Sequence, residues 1–95
     1  MTESVRIKVF VESGGHLVEV DQEYGLSEVG LVPQIGDLFV NPGVVEGRDR
    51  KDPRNREVGT VTKRYIQPQR GPSGETYICI VVDTRPGEEG EANIL

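Results

Sequence analysis

The sequence predicts an all-β protein, and two features of its composition carry that prediction. Valine and isoleucine together number 20, whereas alanine, leucine and methionine together number only 7. β-branched side chains fit a pleated strand better than a helix, where the preceding turn restricts χ1. The 12 glycines and 6 prolines are typical of a chain with many turns. We therefore expect short strands and no long helix.

The length, the cysteine content and the hydropathy of the chain set further limits. Ninety-five residues suit one domain with a thin core, and we expect that domain at residues 1–85. Its one cysteine, Cys79, cannot form a disulfide within the chain. The N-terminal stretch "MTESVRIKVFVE" alternates charge with valine and does not resemble a signal peptide. No stretch approaches the roughly 20 apolar residues that span a bilayer, so we expect a cytoplasmic protein without a membrane partner.

Alternating apolar residues predict a hairpin at the start of the chain. Val5, Ile7, Val9 and Val11 share one face of the first strand, and "HLVEVD" resumes the alternation after the glycines of "ESGG". The next stretch, residues 22–34, has no clean period and contains two glycines and a proline. We expect a long crossing loop there, held by four apolar anchors: Tyr24, Leu26, Val29 and Leu31.

Two further strands are predicted on either side of a long polar loop. The third, "IGDLFV" at residues 35–40, has Ile35, Leu38 and Val40 as candidates for burial and ends at the turn residues "NPG". The fourth runs through "REVGTVTKRYIQP". Gly59 interrupts its alternation, which indicates a bulge or bend that would let Val58, Val61 and Tyr65 all point inward.

The most apolar run, "TYICIVVDT", predicts a central fifth strand because both of its faces are apolar. Its Ile78, Ile80 and Val82 are expected in the core with Val9 and Val18. The following stretch, residues 86–95, is rich in glutamate and glycine and has no apolar pattern. We expect a flexible, disordered acidic tail there.

About five short strands predict a small antiparallel barrel of the SH3-like kind, with a compact β-sandwich as the alternative. The turn "VPQIGDLFV", followed by "EVGTVTKRYI" and "ETYICIVVD", resembles small proteins common in bacteriophages and mobile elements. Those proteins look like SH3-type barrels and mostly lack a known activity. The resemblance covers roughly residues 5–84, from which the long loop at 42–57 departs. It implies an inhibitor of a host or defence protein, located in the host cytoplasm if phage-encoded.

No catalytic, metal or cofactor motif is found in the sequence. His16 is the only histidine and lies beside two glycines, so the familiar His and Cys zinc sets cannot be assembled. Cys79 lies in the most apolar strand, where a thiol packs as a small hydrophobe and its pKa tends to rise. Asp37 follows Gly36 in a turn, where we expect its carboxylate to accept local backbone N–H groups. We therefore expect a non-enzyme that needs no cofactor and no metal.

The charge is uneven along the chain and leaves one candidate binding segment. The net charge is −5, yet residues 46–70 carry eight bases against four acids. The bases and one neighbouring aromatic side chain form the candidate partner-binding set: Arg48, Arg50, Lys51, Arg54, Arg56, Lys63, Arg64 and Tyr65, with Arg70 beyond them. Interleaved acids, including Asp49 and Asp52, oppose phosphate binding because they repel the nucleic-acid backbone.

Three interpretations of the basic segment remain open: a solvated loop, a protein-contact loop and a nucleic-acid-binding loop. The first expectation for function is a small acidic, non-catalytic module that binds a protein partner. The alternative is a nucleic-acid-associated SH3-like or OB-like module that binds through residues 46–70. That alternative is weakened because single-strand binding favours aromatic platforms, and Tyr65 is the only aromatic residue near the loop.

Overall fold

The structure is a computed structural model that describes residues 4–40 and 47–95, without the side chains of Asp21 and Gln22. Described residues form five strands, one helical turn and two short 3₁₀ helices. In chain order they are β1 (Val5–Ser13), β2 (His16–Gly25), α1 (Leu26–Val29), β3 (Leu38–Val40), η1 (Pro53–Asn55), β4 (Glu57–Gln67), β5 (Thr76–Pro86) and η2 (Glu89–Glu91). The all-β prediction is confirmed. The turn predicted at 41–43 and the first part of the loop predicted at 42–57 lie outside the described residues.

The five strands form one open sheet in the order β2-β1-β5-β4-β3. The central pair, β1 and β5, is parallel, and the other three pairs are antiparallel. The predicted antiparallel barrel is therefore wrong for the described residues, since β1 and β5 are parallel and β2 and β3 end the sheet without pairing with each other. A sandwich would need a second sheet. The SH3-like fold is therefore not confirmed. The sequence could not give the strand order, because the alternation of residues within a strand does not specify which strand lies beside it or in which direction.

One face of the sheet, called the core face below, carries the apolar core. It combines side chains from the four long strands: Ile7, Val9, Tyr24, Val61, Ile78, Ile80 and Val82. Leu26, Val29 and Val32 pack against this cluster from the segment between β2 and β3, and Phe39 packs against it from β3. The rings of Tyr24 and Phe39 meet edge to face with centroids 5.4 Å apart. The central position of β5 and the predicted burial of Val9, Ile78, Ile80 and Val82 are confirmed.

The crossing segment is more regular than the sequence predicts. Strand β2 continues to Gly25, and α1 then adds one helical turn. The Glu28 carboxylate accepts the Gly25 N–H at 2.8 Å, and Gly30 ends the turn at φ 87°, a conformation that favours glycine. Tyr24, Leu26 and Val29 reach the core as expected, but Leu31 is exposed.

A register shift in β4 explains one burial prediction that is wrong. The shift lies between Val61 and Lys63, not at Gly59, which pairs regularly with Thr84. Because the extra residue inverts the alternation beyond it, Tyr65 pairs with Cys79 and points away from the core face. Tyr65 is consequently 45% exposed, whereas Val58 and Val61 are buried as predicted.

Three other residues expected to be buried are exposed: Val18, Ile35 and Leu38. Val18 lies near the hairpin end of the edge strand β2, beyond the segment that covers the core face. The third strand begins only at Leu38, so Ile35 belongs to the turn that precedes it. Leu38 lies in the other edge strand, whose half-buried residues are Phe39 and Val40. Edge strands bury less surface than central ones, which the alternation pattern alone does not indicate.

Candidate interaction surfaces

The basic loop is described over residues 47–56, between the last undescribed residue and β4, and it is organised by its own acidic residues. Asp49 accepts the backbone N–H of Lys51 at 2.9 Å through its carboxylate and the side-chain amide of Asn55 at 2.9 Å through its carbonyl. Asn55 in turn accepts a hydrogen bond of 3.5 Å from Arg48. The acids that interleave with the bases therefore act as structural acceptors that fix the loop.

Asp52 and Arg54 form an ion pair inside this loop. Asp52 caps η1 by accepting the Arg54 N–H at 3.0 Å, and both carboxylate oxygens accept from the guanidinium at 3.1 Å. The hydrogen bonds from Arg54 lower the pKa of Asp52 below its ordinary value. This pair is exposed and its charges largely cancel, which leaves Arg54 with less attraction for an outside anion.

Arg56 lies at the end of the loop and contacts the C-terminal segment. Its carbonyl accepts the Gly87 N–H at 2.8 Å, and its guanidinium donates to the Leu95 carbonyl at 3.4 Å. Residues 86–95 thus continue β5 to Pro86 and then fold back as η2, so the predicted disordered tail is not confirmed.

The structure does not bring the predicted binding residues together. Lys63 and Tyr65 lie six and eight positions beyond Glu57, which at about 3.3 Å per residue places them roughly 20 Å or more along β4 from the loop. Arg64 points to the opposite side of the sheet from these two and donates to the Pro33 carbonyl at 3.5 Å. Arg70 is exposed in the turn after β4, farther still from the loop. The predicted set is therefore split into a loop part and a strand part.

The strand part belongs to a larger surface on the side of the sheet opposite the core, called the open face below. Its residues share one side of three neighbouring strands: Lys8 and Phe10 from β1, Tyr77, Cys79 and Val81 from β5, and Lys63 and Tyr65 from β4. Cys79 and Val81 are buried beneath their longer neighbours, while Phe10 and Tyr77 are half-buried and Tyr65 is the most exposed aromatic.

Cations and acids alternate along one border of the open face. The Lys8 ammonium lies 4.2 Å from the centre of the Tyr77 ring and 3.8 Å from the Glu19 carboxylate. Beside this pair, Arg6 meets Glu23 at 3.5 Å. These contacts hold the long side chains of β1 and β2 over the sheet, so the open face carries charges of both signs.

Cys79 at the centre of the open face has the environment of a structural thiol. Burial raises its pKa, although Lys8 nearby acts in the opposite direction. The Gln67 amide donates to its sulfur at 3.8 Å. The thiolate that a nucleophilic cysteine requires is therefore disfavoured here.

A second apolar surface lies beside β3. It is a shallow groove of about 330 Å³ lined by Val29, Leu31, Pro33, Asp37, Leu38 and Phe39. Asp37 is its one charged residue, and the carboxylate already accepts the Gln34 N–H at 2.8 Å. The predicted turn role of Asp37 is thereby confirmed, and the groove offers apolar surface with little polar recognition.

The other residues considered from sequence lie apart from these surfaces. His16 is exposed at the start of β2, opposite Ser13 in the hairpin. Within residues 4–40 and 47–95, no three histidine, cysteine or acidic side chains come together as a metal site. Over the same ranges, no helix is long and apolar enough to span a membrane.

The sequence interpretation did not identify the open face, although part of its signal was present. The alternation that places Val5, Ile7 and Val9 on the core face also puts Lys8 and Phe10 together on the other. The sequence does not show which strands are neighbours. Phe10 lies beside Val81, and Lys8 beside Cys79, only because β1 pairs with β5 in parallel.

Comparisons with known proteins give no relative from which a role could be transferred. No protein-family model matches the chain, and neither the curated proteins nor the solved structures contain a match.

Proposed function

We propose that this protein is a non-catalytic protein-binding module whose binding surface is the open face. The observation that carries the proposal is the placement of three aromatic side chains, Phe10, Tyr65 and Tyr77, on one face of three neighbouring strands. Aromatic residues are enriched at the energetic centres of protein interfaces, and a polar rim commonly surrounds them. Lys8, Lys63 and Glu19 supply such a rim.

The location of the site differs from the expectation that the whole basic segment is the interface. The loop part uses its acids to fix its own bases, as Asp52 does with Arg54. The strand part, Lys63 and Tyr65, lies on the open face, where Tyr65 is 45% exposed. A rigid sheet also presents its side chains with little ordering cost on binding.

Nucleic-acid binding has less support than protein binding on either surface. The chain carries a net charge of −5, and on the open face the cations Arg6 and Lys8 already meet Glu23 and Glu19. A nucleic-acid site gains affinity mainly from cations that neutralise phosphates, which requires a local excess of positive charge. The proposed partner is therefore a protein surface with apolar area and charges of both signs.

The proposed role in the cell is inhibition by occupation of a partner's surface. This part rests on the resemblance to small bacteriophage and mobile-element proteins, which implies a host or defence protein as the target. A flat sheet face of this kind suits such a role, because binding alone covers the partner's surface and no chemical step is needed.

Quantitative affinity capture with matched variants tests the proposal. Tyr65→Ala removes an aromatic ring from the open face, and Ile66→Ala is its control, since Ile66 is the adjacent residue, is 57% exposed and points to the other side. We expect a partner captured by the wild type and by Ile66→Ala to be lost by Tyr65→Ala. With the purified partner, the loss should be about 1–2 kcal/mol, or roughly 5- to 30-fold in Kd.

Two results would contradict the proposed surface. One is a partner that binds Tyr65→Ala and the wild type equally well. The other is a partner that binds Tyr65→Ala normally but is lost when Arg50, Lys51 and Arg54 are all replaced by glutamate, which would return the interface to the basic loop. Sedimentation of the protein alone identifies a second copy of the chain as the partner, if self-association is lost in Tyr65→Ala.

A further inference from the structure

The C-terminal segment places the Glu91 carboxylate on the Arg85 side chain. The Glu91 carboxylate binds the Arg85 guanidinium in a bidentate ion pair, with both N–O distances at 2.7 Å. Glu91 also accepts the Glu88 N–H at 2.9 Å, which fixes the carboxylate in front of the arginine. Parallel double hydrogen bonds of this kind are the geometry by which arginine recognises a carboxylate specifically.

Further contacts place the same segment against the loop. The Gly87 N–H donates to the Arg56 carbonyl at 2.8 Å, and the Arg56 guanidinium donates to the Leu95 carbonyl at 3.4 Å. η2 also packs against η1, so the segment Glu88–Leu95 and the loop residues Pro53–Asn55 form one contact. The negative charge of Glu89 acts on Arg54 from across this contact.

We propose that Arg85, together with Arg56 at the end of the loop, forms a binding surface for an acidic peptide segment of a partner, and that the chain's own residues 88–95 occupy it as an internal competitor. The proposed occupant is a peptide with two glutamates spaced as Glu88 and Glu91 are. The structure itself provides the argument for this chemistry, since an acidic segment of that kind is seated there.

The internal competitor sets the affinity that an outside peptide can reach. A short flexible connection gives a tethered segment an effective concentration in the millimolar range. If the segment is released about a tenth of the time, an outside peptide binds roughly tenfold more weakly than it would to the unoccupied arginines. Loss of the internal contact should raise the affinity by the same factor.

This surface is separate from the open face in its residues and in its proposed partner. Its contacts involve Arg56 and Arg85, while the proposed protein interface is centred on Tyr65. Peptide binding that is unchanged in Tyr65→Ala would show that the peptide surface and the open face act independently of each other.

The test uses the full chain and a labelled synthetic peptide of the sequence of residues 88–95, EEGEANIL. In one variant Glu88, Glu89 and Glu91 are all replaced by glutamine, which keeps size and removes charge. We expect the variant to bind the peptide about tenfold more tightly than the wild type does, measured by fluorescence anisotropy. Adding Arg85→Ala to the variant should abolish the binding, and a peptide with glutamine in place of glutamate should not bind.

A second variant is designed to displace the internal segment by a steric clash while its charges are kept. A Cβ at Gly87 would collide with the Pro53 carbonyl and the Leu95 side chain, so Gly87→Ala should displace the segment. Gly90→Ala is its control, because a Cβ there meets nothing within 4 Å. Hydrogen exchange of the amides of residues 91–95 reports the displacement directly.

The proposal is overturned if neither variant binds the acidic peptide more tightly than the wild type. It is also overturned if the glutamine peptide binds as well as the acidic one, since recognition would then not depend on carboxylates. A segment that stays protected from exchange in both variants would equally contradict it, because the ion pair with Arg85 would then not be what holds the segment.

Discussion

Gly59 on β4 lies so close to Val82 on β5 that a Cβ placed at Gly59 would be 2.8 Å from the Cβ of Val82. Both residues are buried, and Val82 belongs to the core cluster. The absence of a side chain at Gly59 therefore creates the space in which the Val82 side chain packs. The glycine that interrupts the alternation of β4 is required by packing against the next strand, and the register shift occurs elsewhere.

Gly59→Ala should therefore lower the free energy of unfolding by about 1–3 kcal/mol, because an added methyl group forces Val82 or the backbone to move. Chemical denaturation of the variant and the wild type measures the difference. Gly90→Ala is the control, since the space around Gly90 is open and its stability should fall little or rise slightly. An unchanged midpoint for Gly59→Ala would show that the two strands are farther apart than described.

Ile80→Ala should cost about 2–5 kcal/mol because Ile80 is fully buried at the centre of the core face. Ile66→Ala makes the same chemical change at a side chain that is 57% exposed, and we expect a loss below about 1 kcal/mol. Thermal or urea unfolding of both variants provides the comparison. Equal losses in the two would contradict the assignment of Ile80 to the core.

Acid should release the C-terminal segment. The hydrogen bonds from Arg85, and then that from the Glu88 N–H, lower the pKa of Glu91 from 4.5 to about 2. A carboxyl group whose pKa is lower in the folded state than in the unfolded state stabilises the fold at pH values above its unfolded pKa. This contribution is lost as the pH falls through the folded-state pKa. We expect contacts of residues 88–95 to loosen between about pH 4.5 and pH 2.

NMR titration of the Glu91 carboxyl and of the Leu95 amide measures this transition. Glu91→Gln is the control, because its segment should show no such step over the same range. A Glu91 titration midpoint near 4.5 would mean that the ion pair with Arg85 does not form in solution.

The basic loop should not bind nucleic acid measurably at about 0.15 M salt, where the Debye length is only about 8 Å. Replacing Arg50, Lys51 and Arg54 by glutamate should leave the fold nearly unchanged, since all three are exposed loop positions. Fluorescence anisotropy with duplex and single-stranded DNA and RNA gives the measurement. Micromolar or tighter binding that the triple replacement abolishes would support the nucleic-acid alternative over the protein-binding proposal.

The local part of the fold could be predicted from sequence, and the long-range part could not. Alternation and the glycines of "ESGG" give the hairpin of β1 and β2, which the pairing of Val11 with Val18 and of Ser13 with His16 confirms. The parallel pairing of β1 with β5 has no signal within either strand. The same holds for the extra residue after Val61, which reverses the side to which Tyr65 points.

The candidate site was predicted only by residue type. Loop bases such as Arg54 were identified as charged groups, but their local acceptors depend on side-chain geometry that composition does not specify. The contact between Arg85 and Glu91 joins residues only six positions apart, yet it needs the chain to turn at Gly87 against the loop. That turn depends on tertiary packing, and the glutamate-rich composition alone indicated a structureless segment.

The central position of the parallel β1–β5 pair has a consequence for how fast the chain folds. Ile7 pairs with Ile78, about seventy positions later in the sequence. Closing so long a loop costs conformational entropy before the contacts it allows can compensate, and folds dominated by distant pairings fold slowly. The hairpin of β1 and β2 and the pair of β4 and β5 can form from near neighbours, but neither covers a complete core. During synthesis on a ribosome, the core can therefore assemble only after β5 has emerged. Until then the apolar side chains of the earlier strands remain exposed to solvent.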